Sequence, residues 1–248
     1  MQIKKFIPNF VTLLNLLCGS IAVLFAVNNL FVTAALFVFL GIFFDFFDGL
    51  LARKLNVQSD LGLQLDSLAD MVTSGLVPGI ILYKLIAIAV DAPAMTASNE
   101  WSLHWSGFSM SFIPIIGLFV TLSSAYRLGK FNLDEEQQTY FKGLPTPANA
   151  LLILSLPLIL EFQNSDVINN IILNKWFLIS LAFLSCYLLN SSIKLFALKF
   201  KDYSFKNNVL RYIFIIISLV LLIVLQFVAI PVIIILYIIL SIFSQNTI

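Results

Sequence analysis

The chain has 248 residues, of which 60% are hydrophobic, 24 are Phe and only 11% are charged. A water-soluble domain covers its surface with about 25% charged residues, so soluble enzymes and soluble binding modules are excluded and the chain is read as an all-α, polytopic integral membrane protein. The net charge of +1 carries no information on partners, and nucleic acid is not expected among them.

A helix that crosses a bilayer needs about 20 apolar residues, each rising about 1.5 Å. Eight runs are expected to do so, near 8–28, 30–50, 67–90, 108–128, 147–163, 174–197, 209–227 and 228–245. No polar domain precedes the first run and no small-residue cleavage site follows it, so it is expected to be a retained helix rather than a signal peptide. Asn9, Thr12 and Asn15 share one face near its start. There they either donate to a phosphate or nucleotide, or cap and bridge helices.

The second and third runs carry the chemistry. Asp45 and Asp48 are three apart at the end of one, and Asp66 and Asp70 are four apart at the start of the next. Each pair therefore lies on one helical face, with about 5–6 Å between Cβ atoms. A short connection makes the two runs an antiparallel hairpin, so the four carboxylates converge on one cavity at membrane depth. Carboxylates in such a place repel and lose hydration, and a cation is the natural compensation. Oxygen ligands without His or Cys favour Mg²⁺, Mn²⁺ or Ca²⁺ over zinc. Interfacial charges that merely finish two helices explain Asp60, which has no periodic partner. They explain badly why five of the thirteen acidic residues fall within 45–70. Gly49 and Ala52 continue the Asp45 and Asp48 face and remove bulk where a flat group or a neighbouring helix approaches.

Further along, Trp101, His104 and Trp105 form an interfacial aromatic set in the loop before the fourth run. His104, the only histidine, is expected across the membrane from the carboxylates. Arg127 and Lys130 end the fourth run, either as ordinary snorkelling residues or placed to receive an anionic headgroup or phosphate. Pro145 and Pro147 set the entry to the fifth run. Cys18 and Cys186 lie within runs, match no disulfide or zinc spacing, and read as packing residues. The basic stretch "KFKDYSFKNNVLR" then separates the first six runs from a last apolar pair. That pair offers packing surface, lipid-facing surface or the surface of a homodimer.

Lys and Arg mark the cytoplasmic side. With the N-terminus inside, twelve of the 14 basic residues fall inside and only Lys84 and Lys175 outside, so both termini and the carboxylates are expected to be cytoplasmic, in the inner membrane of a bacterial cell.

The run Asp45-x-x-Asp48-Gly49-x-x-Ala52-Arg53, then eight residues, Gly62, three residues, Asp66, three residues and Asp70 resembles the complete signature of the CDP-alcohol phosphatidyltransferases, at every fixed position and every gap. The resemblance implies a six-helix catalytic core over 1–200, with 201–248 as an added two-helix hairpin. It implies a reaction in which a CDP-activated lipid is joined to an alcohol with release of cytidine monophosphate. It further implies that Asp45, Asp48, Asp66 and Asp70 hold Mg²⁺ or Mn²⁺, as one ion or two. Asp70 would also deprotonate the alcohol, while Gly49, Ala52, Arg53 and Gly62, with Asn9 and Thr12, would bind the CDP-lipid. The stretches at 6–23, 65–79, 125–132 and 141–150 are similar to the serine-accepting bacterial branch of that family, which implies CDP-diacylglycerol and L-serine as substrates among membrane lipids. Lys130 stands where that branch is expected to carry a second arginine. Glycerol 3-phosphate, inositol or inositol phosphate is the alternative acceptor. A cation transporter is the alternative class, but cation passage does not require the Gly49, Ala52, Arg53 and Gly62 set, and no internal repeat accompanies the acids.

Overall fold

A computed structural model describes residues 2–91, 111–133, 141–163, 165–196 and 208–244. The Trp101, His104 and Trp105 loop and most of the basic connector lie outside the described residues. Among the described residues ten α-helices follow one another: α1 (Gln2–Val27), α2 (Phe31–Lys54), α3 (Asp60–Asp70), α4 (Val77–Ala89), α5 (Phe119–Leu133), α6 (Thr146–Phe162), α7 (Asp166–Ile172), α8 (Lys175–Asn190), α9 (Val209–Leu225) and α10 (Ala229–Ser244). The only sheet among the described residues is a ladder of β1 (Phe141–Lys142) against β2 (Lys194–Leu195), antiparallel, with Phe141 opposite Leu195. The all-α, polytopic class read from composition is the class observed.

Among the described residues, four apolar stretches are long enough to cross a bilayer: Phe6–Val27, Phe31–Lys54, Asp60–Ala89 and Val209–Phe243. The last comprises α9 and α10, which fold back on one another at Gln226, where φ is +48°. Phe214 and Tyr237 consequently meet with ring centroids 5.7 Å apart. The predicted run 174–197 divides differently, since its helix stops at Asn190 and α7 precedes it at a 57° bend, so that the pair together makes a fifth candidate. Asn174 makes the break by capping α8, its Oδ1 accepting from Trp176 N at 2.9 Å and Phe177 N at 3.3 Å. α6 is a shorter apolar helix of 17 residues. The fourth predicted run opens as a 3₁₀ segment, Ile113–Leu118, before becoming α5.

Small residues let α1 and α2 lie close together along their length. Ala22, Ala26, Ala34, Ala35 and Val38 are all fully buried. In lipid no hydrophobic gain drives helices together, so close backbone approach and polar contacts must do so. Asn29, at φ +60°, turns the chain between the two helices. Asn56, at φ +53°, turns it between α2 and α3, where Gly62 N donates to the Ser59 N-cap hydroxyl at 3.1 Å. α3 does not end where the apolar sequence begins: it runs through a π-helical segment, Met71–Leu76, straight into α4. One rod of 30 residues, Asp60–Ala89, thus carries three carboxylates, Asp60, Asp66 and Asp70, towards one end and reaches across the hydrocarbon at the other.

The C-terminal hairpin is attached at its two ends. The Gln163 side chain donates to Leu225 O and accepts from Val228 N, both at 3.0 Å, gripping the turn between α9 and α10. At the other end Tyr237 Oη donates to Phe196 O at 2.8 Å, and Phe196 N donates to Ser241 Oγ at 3.4 Å.

Candidate active site

Asp45 and Asp48 occupy the last turns of α2, and Asp66 and Asp70 the last two turns of α3. The antiparallel hairpin sets the two acidic faces against each other. Ligand oxygens of Asp45, Asp48 and Asp66 all lie within 4.8 Å of one another. Asp70 sits one turn further along α3, and Asp45 is within hydrogen-bonding reach of both Asp66 and Asp70. Among the described residues, the charged groups acting on Asp45, Asp48 and Asp70 are other carboxyls of the same four. Asp48 is 5% exposed. An all-oxygen set that is partly dehydrated fits a hard divalent ion.

α1 supplies donors to both acidic helices. Thr12 Oγ1 is 2.5 Å from Asp48 Oδ2 and 3.1 Å from Pro8 O, the acceptor one turn back. Asn15 Nδ2 donates to Asp70 Oδ1 at 3.3 Å. Thr12 and Asn15 are three apart and so share a helical face, which makes one stripe of α1 the holder of carboxylates from two other helices. Such outer partners fix how a ligand carboxylate is aimed.

Asp45, Asp48 and Asp66 open into a cavity of about 710 Å³, whereas Asp70 is not among the residues of its wall. Its wall brings together most of the residues singled out in the sequence: Asn9 and Thr12 from α1, Asp45, Asp48, Gly49, Ala52 and Arg53 from α2, and Gly62 and Asp66 from α3. Arg53 Nε donates to Gly49 O at 2.9 Å, one turn back, so the guanidinium lies along its own helix at the rim. Gly62 is a point of close approach, where a Cβ would stand 3.2 Å from Asn9 Oδ1.

Several wall residues were not singled out. Val57, Gln58 and Ser59 enter through the turn between α2 and α3, and Asp60, read as an interfacial charge, lines the same cavity. Ser59 had a readable signal, being an N-cap residue just ahead of a helix. The rest depend on the path of the turn, which the spacing does not encode.

Arg127 and Lys130 are elsewhere. Arg127 is buried, with Nε donating to Leu144 O at 2.6 Å and Nη2 to Gly143 O at 3.3 Å. The guanidinium thereby holds the entry to α6, where Gly143 takes φ +73° and donates its own N–H to Ile193 O at 2.9 Å. Arg127, Lys130, Lys142 and Asn190 line a separate cavity of only about 20 Å³, the space of a water molecule.

Fold and site together define a polytopic helical membrane protein with clustered carboxylates in the wall of a large cavity at one end of the bundle. Residues 5–187 match the CDP-alcohol phosphatidyltransferase family, and the chain belongs to it. It is 34% identical over 153 residues to the CDP-diacylglycerol–serine O-phosphatidyltransferase of Bacillus subtilis, a match covering 61% of this chain and 75% of that one. The protein of the same name from Methanocaldococcus jannaschii is 31% identical over 166 residues, 67% of this chain and 66% of the relative. That from Saccharomyces cerevisiae is 33% identical over 132 residues, 50% and 40% respectively. The chain is accordingly a membrane-embedded phosphatidyl-transferring enzyme.

Proposed function

We propose that this enzyme transfers the phosphatidyl group of CDP-diacylglycerol to the hydroxyl of L-serine, giving phosphatidylserine and cytidine monophosphate. The observation that carries the reaction is the single cavity uniting the carboxylate cluster with Gly49, Ala52, Arg53 and Gly62. Serine as acceptor is supported by the names of the relatives and by the stretches at 6–23, 65–79, 125–132 and 141–150.

The nucleotide end of the lipid lies along the face that Gly49 and Ala52 leave low, with Gly62 letting Asn9 close in as a donor and Arg53 as a cation at the rim. Mg²⁺ or Mn²⁺ held by Asp45, Asp48 and Asp66, with Asp70 adjoining, supplies charge neutralisation at the pyrophosphate. Asp70 takes the hydroxyl proton of serine as its oxygen forms the new bond to the phosphatidyl phosphorus. The bond from that phosphorus to the bridging oxygen breaks, and the electron pair leaves with cytidine monophosphate. A positioned general base contributes about 10²–10⁴-fold to such a step. No Cys or His adjoins the four aspartates in the sequence, so attack is direct and kinetics are sequential. Arg127 meets an anionic headgroup only by releasing main-chain carbonyls, and Lys130 is the more available cation of the two.

The six helical spans within 1–200 form the catalytic core and 201–248 the added hairpin. The cavity faces the cytoplasm from the inner membrane, a reading supported by the twelve basic residues on that side. Cysteines introduced singly as Ser102→Cys and Asn207→Cys, with Cys18 and Cys186 replaced, test this. The first is expected to react with an impermeant thiol reagent from outside and the second only after permeabilisation. The reaction itself is tested by giving purified protein CDP-diacylglycerol with L-serine, glycerol 3-phosphate, inositol or inositol phosphate, and weighing the lipid product by mass spectrometry. Phosphatidylserine is expected. A product made preferentially from another alcohol overturns the acceptor, and a phosphatidyl-enzyme trapped without acceptor overturns direct attack.

A further inference from the structure

We infer that Asn15 and Thr73 are a positioning pair that aims the Asp70 carboxylate, an inference that rests on reading Asp70 as the general base. Both are fully buried. They come from different elements, Asn15 from α1 and Thr73 from the π-helical segment that begins one residue after Asp70. The Thr73 hydroxyl stands 2.8 Å from Asn15 Oδ1 and 3.2 Å from Asn15 O. Two oxygens of one residue face it, so the hydroxyl is the donor. On its far side Asn15 donates through Nδ2 to Asp70 Oδ1 at 3.3 Å.

The amide is therefore oriented from both ends. Turned over, it would bring Oδ1 against Asp70 Oδ1, and an ionised carboxylate offers only acceptors. With Thr73 on one edge and Asp70 on the other, Asn15 has one satisfied orientation. Holding Oδ1 sets the plane of the Asp70 carboxylate, and hence the direction in which its second oxygen points.

The neighbouring helices leave the pair no second arrangement. A Cβ on Gly41 of α2 would stand 2.6 Å from Thr73 Cγ2 and 2.8 Å from Asn15 Oδ1. A Cβ on Gly19 of α1 would strike the Thr73 hydroxyl and stand 3.0 Å from both its main-chain N and Cα. Two helices lack side chains at the points where the pair sits. A hydrogen bond needed only for cohesion has no reason to end on the reacting carboxylate, and this chain of contacts does. A π turn inside an α-helix is also a recurrent feature of functional sites, and here it places Thr73 against α1.

The test compares Thr73→Val, which keeps the shape and loses the donor, with Thr73→Ser, which keeps the donor and loses a methyl. Asn15→Asp and Asp70→Asn complete the set. All are assayed in detergent with CDP-diacylglycerol and whichever acceptor alcohol the wild type uses. A hydrogen bond to a charged group corresponds to about a tenfold to hundredfold rate effect. Thr73→Val is expected to lower kcat by about tenfold or more, with the KM for CDP-diacylglycerol within about twofold, while Thr73→Ser stays within about threefold of wild type. Asn15→Asp, which sets a carboxylate against Asp70, is expected to lose at least as much kcat as Thr73→Val. Equal impairment by Val and Ser, or loss in KM and thermal stability in place of kcat, makes the pair structural and overturns the inference. If Thr73→Val does not fold, the outcome of Asn15→Asp decides: unchanged kcat overturns the inference, and lowered kcat at unchanged KM supports it. Asp70→Asn separates the two layers of the argument. Its retaining turnover removes the base itself, whereas an inactive Asp70→Asn beside a fully active Thr73→Val removes only the pair.

Discussion

The end of the bundle where α1, α2 and α3 meet and the C-terminal hairpin of α9 and α10 differ in how much polar structure they bury. At the first, the buried side chains are polar: Thr12, Asn15, Asp48 and Thr73 are all nearly or fully hidden, and glycines bring the backbones close around them. At the second, aliphatic side chains face outward, Ile223 being 81% and Val224 69% exposed. A protein dissolved in lipid does not need to hide its apolar residues. What it must hide is its polar atoms, so the buried polar set, and not the most hydrophobic stretch, marks where this molecule is precisely built.

The sharpest way to break that contrast is to remove a carboxylate. Asp45→Ala, or chelation of divalent ions, is expected to bring turnover below detection, with Mg²⁺ or Mn²⁺ restoring the chelated enzyme but not the variant. Asp45→Ala should also weaken CDP-lipid binding, measured by titration with a fluorescent analogue. Asp70→Asn comes next: turnover falls by about 10²–10⁴-fold while CDP-lipid binding stays measurable, because Asn keeps the shape and cannot take the proton. Near-normal turnover by that variant would falsify the base assignment. Thr12→Val removes the hydroxyl that stands against Asp48 Oδ2 and Pro8 O, and is expected to raise the metal concentration needed for half-maximal activity by about 10–100-fold, with less effect at saturating metal.

At the hairpin the same kind of change should touch stability alone. Gln163→Ala strips the partners from Leu225 O and Val228 N, and is expected to lower stability by about 1–3 kcal/mol in a detergent melt, with kcat per folded molecule unchanged. Ile223→Ala should fall within about 0.5 kcal/mol. A large loss there would mean that the exposed face of α9 is covered by something other than lipid.

The two regions were unequally legible in the sequence. The spacing of Asp45, Asp48, Asp66 and Asp70 determines which way each carboxylate points, because helical phase is a local property. The hairpin that joins them needs only a short connection, so their convergence could be read directly. Asn15 was visible as part of a polar face, but its partner was not. Thr73 stands beside Ser74 in an otherwise apolar stretch, nothing in the spacing prefers one hydroxyl to the other, and only the π turn and the packing of three helices bring Thr73 to α1. Arg127 shows the same limit from the other side. Its position at a helix end suggested an open cation, whereas the fold directs it to the carbonyls of Gly143 and Leu144, a contact set by the long-range placement of β1 beside β2. Local periodicity survives translation into structure, and partnerships between distant elements do not announce themselves.

The attachment of α9 and α10 has a consequence for how this chain tolerates change. Beside ring contacts such as Phe162 with Phe227, the polar attachments of the hairpin among the described residues include one amide at its turn and one phenol and one hydroxyl at its open end, each addressed to main-chain atoms of other segments. Main-chain atoms are present whatever the side chain, so these anchors do not require matching residues opposite them. The lipid-facing flank between them can exchange Ile, Leu, Val and Phe with little restriction, adapting to membranes of different thickness or fluidity while the register of the hairpin stays fixed.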